Sequence, residues 1–437
     1  MNNLNFLVDV LKESPVFKTL EKNVKPGRTV CASGLSTINK SNIIYALCRL
    51  KGVTAFCLAS DEKEAQTLCN DLSCMGLRAY VYPVRDFNFL DFQSRSHEYE
   101  HARLKVLLKL LNHECDVAIA CVDAAAQLTV PRNVLEQSVI EFEEGRELSL
   151  EKATKALTLL GYERFDAVEG SGQFSLRGGI LDFFMPDSDY PVRCEFWGDE
   201  ITDLSYFDIE TQRRFKKTDK ITLSPSTEIV IEDRAALADK IEHKAKLLRS
   251  KNSAKAKEKL FSEAELIRSG AMIANADKFI NQIYDKPESL FDYLDRNTLV
   301  FASEFTAIQE RGKSMDFISN ETLMQGFEDG TLCRGFDRFA LTFNECTEFL
   351  QSHGTIVLEN FVHGSMPIKL SEIISFSTKQ LSAWGGSYKQ LKEDVDGLFT
   401  PESKGVIFAG TERAAKNLCD TFNADGINAV YSEGADK

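Results

Sequence analysis

The sequence predicts an α/β protein: a parallel sheet covered by helices, split by an inserted α+β domain with an antiparallel sheet, and followed by a small C-terminal α/β unit. Three observations carry this expectation. Short apolar strands alternate with helical segments from Arg28 to Cys121, the pattern of a parallel sheet with helices on its faces. From about Ala126 to Pro225 the pattern changes to period-two alternation with a Gly198-Asp199 turn, as in antiparallel hairpins. Two later apolar runs, Leu299–Ala302 and Thr355–Leu358, read as strands returning to the first sheet.

The elements follow in order. Met1 to Lys22 reads as one amphipathic helix with Phe6, Leu7, Val10, Leu11 and Phe17 on its apolar side, ended by Pro26-Gly27. Strands are expected at Thr29–Ala32, Thr54–Ala59, Ala79–Tyr82 and Asp116–Cys121, with helices at Ser41–Lys51, Asp61–Met75 and Tyr99–Leu111. The inserted part opens with a helix, Leu148–Leu160, and continues through alternating stretches at Phe174–Phe184 and Pro191–Phe207. A charged helical region covers Ala235–Ser250, Ser253–Arg268 and Ala276–Tyr284. The last unit reads helix Tyr388–Leu398, strand Gly405–Ala409, helix Thr411–Asp425 and strand Asn428–Tyr431. The expected units are residues 1–127, 128–225, 226–375 and 376–437, within the two to four domains that 437 residues suggest at roughly 100–200 residues each.

Composition narrows the function classes. A net charge of -14 argues against a chain held to DNA mainly by phosphate contacts, and fits a protein partner better. The eleven cysteines are scattered, with no Cys-x-x-Cys pair, so buried free thiols in a reducing cytosol are expected rather than disulfides or a zinc ribbon. The first residues lack a signal-peptide pattern, and no stretch approaches 18 uncharged apolar residues. A cytoplasmic location is the expectation.

Two motifs bear on chemistry. Gly34-Leu-Ser-Thr-Ile-Asn39-Lys40-Ser41 follows a strand, opens a helix, and has the length of the G-x-x-x-x-G-K-[ST] phosphate loop. Asn39 replaces the glycine that lets the backbone wrap phosphates, which weakens the loop without abolishing it. The acidic strand that would hold Mg²⁺ is best matched by Leu299 to Glu304, where Ser303 stands in place of the carboxylate. Both departures point to a retired nucleotide site kept as scaffold, and an ordinary strand-to-helix turn accounts for the same residues. His97-Glu98-Tyr99-Glu100-His101 matches H-E-x-x-H, in which two histidines one turn apart hold zinc and the glutamate acts as base. No third ligand at a known spacing follows, and the exposed first turn of a helix, with Glu98 and Glu100 at the positive end of its dipole, is the competing reading.

The most specific text runs from Gly161-Tyr-Glu-Arg164-Phe-Asp166 through Phe174-Ser-Leu-Arg177-Gly178-Gly179-Ile-Leu-Asp182-Phe-Phe184 to Arg193-Cys-Glu195-Phe-Trp-Gly198-Asp199 and Phe207-Asp208. It closely resembles the transcription-repair coupling factor family, Mfd, and more distantly the second domain of the excision-repair protein UvrB. The resemblance covers essentially the whole chain, including the degenerate phosphate loop. It implies a RecA-like domain (1–127 and 226–375) split by a UvrA-binding domain (128–225), with a small α/β domain after it (376–437). It implies a non-catalytic adaptor without cofactor that recruits UvrA. In the family the module also restrains the motor by masking the UvrA surface until polymerase is engaged.

Carried over by motif, the arginine of the UvrB Tyr-x-Arg-x-Asp text falls on Arg164. The aromatic and second arginine of its Phe-Arg-x-Arg-Gly text fall on Phe174 and Arg177, and Phe184 matches a neighbouring aromatic. Ser175 replaces the first arginine of that pair. Phe174 and Arg177, three apart, point to opposite faces of a regular strand, unless a turn at Gly178-Gly179 intervenes. Without the resemblance, Arg164 and Arg177 read as surface ion pairs of little energetic weight. The stretch after Tyr82-Pro83 leaves little room for the aromatic DNA-gripping hairpin of UvrB. The chain resembles only the front of a coupling factor, so RNA polymerase and DNA are expected to be reached through domains that lie beyond Lys437. Three other classes stay open: an active ATPase or helicase subunit, a zinc peptidase, and a structural module without a ligand.

Overall fold

A computed structural model describes residues 5–85, 97–249, 253–270, 276–361, 366–378, 384–400, 403, 405–407, 409 and 411–432. Strands β1 (Val30–Ser33), β2 (Ala55–Ala59), β3 (Ala79–Tyr82) and β4 (Val117–Cys121) alternate with helices Thr37–Lys51, Glu62–Cys74 and Glu98–Leu111. The chain then leaves this sheet. It forms β5 (Ile140–Glu143), β6 (Glu163–Arg164), β7 (Gln173–Arg177), β8 (Ile180–Phe183), β9 (Val192–Trp197), β10 (Glu200–Phe207), β11 (Arg214–Lys217) and β12 (Lys220–Leu223). It returns in β13 (Leu299–Ser303), β14 (Thr355–Leu358) and β15 (Glu372–Ser375).

The first sheet has seven strands in the order β15-β1-β14-β13-β2-β4-β3, every neighbour parallel. Strands β1, β2, β4 and β14 are buried along their whole length, as strands covered on both faces must be. Strands β13 and β14 return to the first sheet, as the sequence predicts, and the structure places them in its middle. Their insertion beside β1 and β2 brings the carboxyl ends of β1, β13 and β14 together, the place where open α/β sheets hold ligands.

The second sheet, six strands in the order β11-β10-β9-β8-β7-β6, is antiparallel apart from the short parallel pair β6–β7. The β5 and β12 strands pair with each other as a separate ribbon. Helix Leu150–Leu159 lays Ala153 and Leu157 on a core that includes Phe142, Phe174, Phe183 and Cys194. The Phe174–Phe184 stretch is thus two strands joined by Gly178-Gly179.

The insert is tied to the first sheet by a buried ionic joint. The fully buried Arg103 donates to Glu228 Oε1 at 2.6 Å and to Gln127 Oε1 at 2.7 Å, and lies 4.2 Å over the Tyr82 ring. Thr129 Oγ1 donates to Glu228 Oε2 at 2.7 Å. Because Arg103 sits on the Glu98–Leu111 helix and Glu228 just past β12, the pair couples the exit of the insert to the parallel-sheet layer.

Several expectations need correction. The N-terminal helix is two, Asn5–Glu13 and Pro15–Asn23. Pro15 has no N–H to continue the first, and Ser14 caps the second. Phe17 is buried as expected but Val10 faces solvent, while residues 1–4 and the Phe6 side chain lie outside the described residues. The helix expected from Ser41 starts at Thr37, which places Lys40 and Ser41 inside its first turns. Helices Phe305–Asp329 and Phe343–His353 and strand β15 had no counterpart in the sequence reading.

In the last unit the two helices form, at Tyr388–Leu398 and Glu412–Ala424. No strand forms among the described residues of 405–409 or at 428–431; Phe408 lies outside them. The Asn423 side chain takes both backbone groups of Ala429, accepting its N–H at 3.1 Å and donating to its carbonyl at 2.9 Å, which leaves no ladder position there. Of the eleven cysteines, seven are buried, but Cys74 is exposed and three are half-buried; none is in a disulfide.

Candidate functional site

The candidate site is the outward face of the β7–β8–β9 hairpins. Register decides which side chains reach it. Phe174 pairs with Phe183 and Leu176 with Leu181, and these face the core. Ser175 pairs with Asp182 and Arg177 with Ile180, so they share the opposite face. In β9, Arg193 lies across from Asp182 and Glu195 from Ile180, on that same face.

On this face Asp182, 1% exposed, is the hub. It accepts from Arg177 Nη2 at 2.9 Å and from Arg193 Nε and Nη2 at 2.8 and 2.9 Å. Arg193 is further fixed by the Gln212 carbonyl at 3.1 Å and by the Phe207 ring, 4.5 Å from its guanidinium carbon. The Arg177 side chain, 52% exposed, is therefore held at one end and open to solvent along the rest. Such pre-ordering lowers the entropy lost when an arginine enters an interface.

The four expected contact residues divide. Arg177 and Phe184 share the outward face: the Phe184 N–H bonds the Gln173 carbonyl at 3.0 Å, which continues the ladder one residue past β8. They are about 13 Å apart along the hairpin at the usual rise per residue. Arg164 is exposed on the edge strand β6 beside exposed Phe165. Phe174 is 3% exposed and belongs to the core, so direct contact by its side chain is not available; its packing supports the strand that carries Arg177. Ser175, at the position of the missing arginine, donates to the Asp166 carbonyl at 2.8 Å and pins the loop after Arg164.

Sequence reasoning missed three residues. Asp182 holds Arg177, and the signal was the two-residue Gly-Gly link, which fixes the hairpin register. Trp197 is 83% exposed at the end of β9 on the outward-facing parity, and Phe165 is 44% exposed next to Arg164. Large exposed aromatics beside arginine are the residue types enriched at binding hot spots.

The phosphate-loop residues gather at the carboxyl ends of β1, β13 and β14, but their polar groups are already engaged with one another. Lys40 Nζ, almost fully buried, donates to Glu304 Oε1 at 2.6 Å, Ser303 Oγ at 2.9 Å and Glu64 Oε1 at 3.2 Å. Ser303 Oγ donates to Glu64 Oε1 at 2.5 Å, and Ser41 Oγ to Asp71 Oδ2 at 2.9 Å. Asn39 donates to Ser36 Oγ at 2.7 Å. The Gly34 and Leu35 amides bond the Asn360 and Glu359 carbonyls at 3.1 and 3.0 Å. Gly34, at φ 77, passes so close to the Phe376 carbonyl that a Cβ has no room.

Two carboxylates thus lie where a phosphate would neutralise the lysine, and the residues do not fit a magnesium–nucleotide complex. Glu359, fully buried, accepts from the Phe305 N–H at 2.8 Å. Burial, with Glu304 beside it, pushes its carboxyl up to about 7.

The H-E-x-x-H residues are a packing contact. His97 stands at the position just before the helix rather than within it, makes no side-chain capping bond, and bonds Glu100 Oε2 at 2.9 Å. Glu98 is exposed, but Glu100 is turned inward, accepting from the Glu228 N–H at 2.8 Å and Thr227 Oγ1 at 2.9 Å. Burial pushes the Glu100 carboxyl up, yet the His97 hydrogen bond and Arg85 outweigh it and hold the group down at about 2. The His101 ring rests against Gly172 of the insert, and burial lowers its pKa. Among the described residues, no three His, Cys, Asp or Glu side chains are grouped to hold a metal ion. Among them, too, no helix is long and apolar enough to cross a membrane.

Residues 140–229, from β5 to just past β12, match the family described as the UvrB interaction domain. The chain is 26% identical over 428 residues to the transcription-repair-coupling factor of Bacillus subtilis (strain 168), an alignment covering 95% of this chain and 36% of that protein. It is 24% identical over 371 residues to the protein of that name from Staphylococcus epidermidis (strain ATCC 12228 / FDA PCI 1200), covering 80% of this chain and 30% of the relative. With that of Staphylococcus aureus (strain MRSA252) it shares 21% over 426 residues, covering 95% and 36%. The chain spans about a third of the length of the curated relatives it matches.

Proposed function

Taking the chain as the N-terminal region of a transcription-repair coupling factor, to which it corresponds along 95% of its length, we propose that it is a non-catalytic adaptor that docks UvrA on the outward face of β7–β9. The observation that carries this is the half-exposed Arg177 pinned by buried Asp182, with Phe184 and Trp197 on the same face, inside the stretch that matches the UvrB interaction domain. Arg164 ends the edge strand β6 in register with Phe174, on the other side of the sheet from Arg177, and Phe165 follows it; both are exposed at that edge. An arginine held by a buried carboxylate, with exposed aromatics further along the same face, has the make-up of an interface anchor.

In this reading residues 1–127 and 226–375 form one domain that presents the insert, 128–225, and 376–437 form a further unit. RNA polymerase and DNA are partners of the whole family protein, and restraint of its motor works by covering the UvrA surface. The carboxylates around Lys40 support a fragment that neither binds nor turns over ATP.

The test is titration calorimetry against UvrA from the same organism. Wild type should bind, and Arg164→Ala/Arg177→Ala should lose binding while keeping its melting temperature. Trp197→Ala should weaken binding by roughly tenfold or more, as expected for an anchor. No heat of binding with active UvrA overturns the adaptor reading. A thermal shift on adding magnesium ATP overturns the reading of the Lys40 site.

A further inference from the structure

We propose that the outer half of the Phe305–Asp329 helix is a docking face for a basic, amphipathic helix of a protein partner. The inner half of this helix is fixed to the parallel-sheet domain. Phe305 and Ile308 are buried, and Gly312 lies against the Phe343 ring where a Cβ has no room. The outer half has a different surface. Phe317 is 66% exposed, Ile318 62% and Met324 67%.

At 3.6 residues per turn, Phe317, Glu321, Met324 and Glu328 fall on one stripe, with Ile318 at its border. Scattered exposed apolar residues are ordinary, but three large ones within two turns form a patch of the kind that marks an interaction surface. The stripe alternates apolar groups with carboxylates. From Ser314 to Asp329 the charged residues are Asp316, Glu321, Glu328 and Asp329, with no lysine or arginine.

Charge selects the occupant. Phosphate-bearing nucleic acid is repelled by this face. A second copy would bring the same carboxylates on a chain of net charge -14. A helix with an apolar stripe flanked by lysine or arginine meets both features: its apolar residues cover Phe317 and Met324, and its cations reach Glu321 and Glu328. This face is on a different element from the β7–β9 surface and stands independently of it.

The experiment uses the whole chain and a fluorescent helical peptide of leucine and lysine in a heptad pattern, with its leucine–glutamate counterpart as control. Fluorescence anisotropy should show saturable binding of the lysine peptide and none of the glutamate peptide. Phe317→Gln/Met324→Gln should weaken it roughly tenfold or more. Glutamine keeps the helix propensity, and both side chains face solvent, so the fold is retained. Glu321→Lys/Glu328→Lys should reverse the preference between the two peptides. Lysine-peptide binding that survives the Phe317/Met324 substitutions overturns the proposal, as does its absence in wild type. Sedimentation should show a monomer; a dimer abolished by the same substitutions assigns the face to a second copy and overturns it too.

Discussion

Arg177 and Asp182 are five residues apart in sequence and 2.9 Å apart in space, joined across the Gly178-Gly179 hairpin. The carboxylate is buried and shared with Arg193, whereas the Arg177 side chain is half exposed. Stability and binding should therefore separate at this pair. Arg177→Ala is expected to change folding stability by less than about 1 kcal/mol, as for an exposed ion pair. Asp182→Ala leaves the largely buried Arg193 without its carboxylate and should cost about 3 kcal/mol. Urea unfolding of the two variants measures the difference; equal losses would show that Asp182 does not anchor the face.

That hairpin also marks how far the sequence could be read. The parallel sheet was legible because its strands are continuous apolar runs, such as Ala55–Ala59 and Val117–Cys121, buried on both faces. The Phe305–Asp329 helix was not, because Phe317, Ile318 and Met324 point to solvent and break the apolar period that a core-facing helix shows. At the candidate site, motif resemblance located Arg177. Only the register of β7 against β8 separates it from the buried Phe174 and brings Asp182 beneath it. Asn39 and Ser303 were legible as departures from the phosphate-loop pattern. The carboxylates that engage Lys40 come from Glu64 and Glu304, 24 and 264 positions away, and no local pattern announces them.

With Glu64 and Glu304 on its ammonium group, Lys40 is expected to act as a structural cation. In a working nucleotide site the lysine is removed with little loss of stability and a loss of ligand. Here Lys40→Met leaves Glu64 and Glu304 near one another without their cation, and should destabilise the chain by about 2 kcal/mol or more. Adding magnesium ATP should leave the melting temperature of both proteins unchanged. A nucleotide-dependent rise in wild type that Lys40→Met abolishes would restore a nucleotide role to the loop.

Glu359 sets a pH dependence with a definite sign. Its carboxyl is raised to about 7 in the folded chain, by burial first and by Glu304 next. Between its unfolded value and about 7 the folded state holds the extra proton, so this group's contribution to stability falls as pH rises through that window. Glu100 acts in the opposite direction: held down at about 2, it contributes stability above the ordinary carboxylate range that is lost as pH falls toward 2. Raising the pH from 5 to 8 should therefore lower wild-type stability relative to Glu359→Gln, by on the order of 2 kcal/mol. Parallel curves for the two proteins from paired urea titrations would show that Glu359 titrates normally.

The Arg103–Glu228 pair is expected to control whether the insert and the parallel sheet unfold together. Both side chains are fully buried, and Glu228 also accepts from Thr129, so removing the arginine alone leaves a carboxylate in the interior. Its nearest remaining cation is Arg85, 3.8 Å away and already facing Glu100 and Asp277. Arg103→Met should cost about 3–5 kcal/mol, the range for breaking a buried ion pair from one side. Because the pair bridges the Glu98–Leu111 helix and the exit of the insert, the loss should fall on the joint, and urea unfolding should split into two transitions. Replacing both partners, Arg103→Met with Glu228→Leu, removes the stranded charge and should recover most of the stability, since a buried pair exchanged for apolar groups is often neutral. A single sharp transition in Arg103→Met, or no recovery in the double variant, would place the coupling between the two sheets elsewhere, with the Glu100–Glu228 backbone contact the next to test.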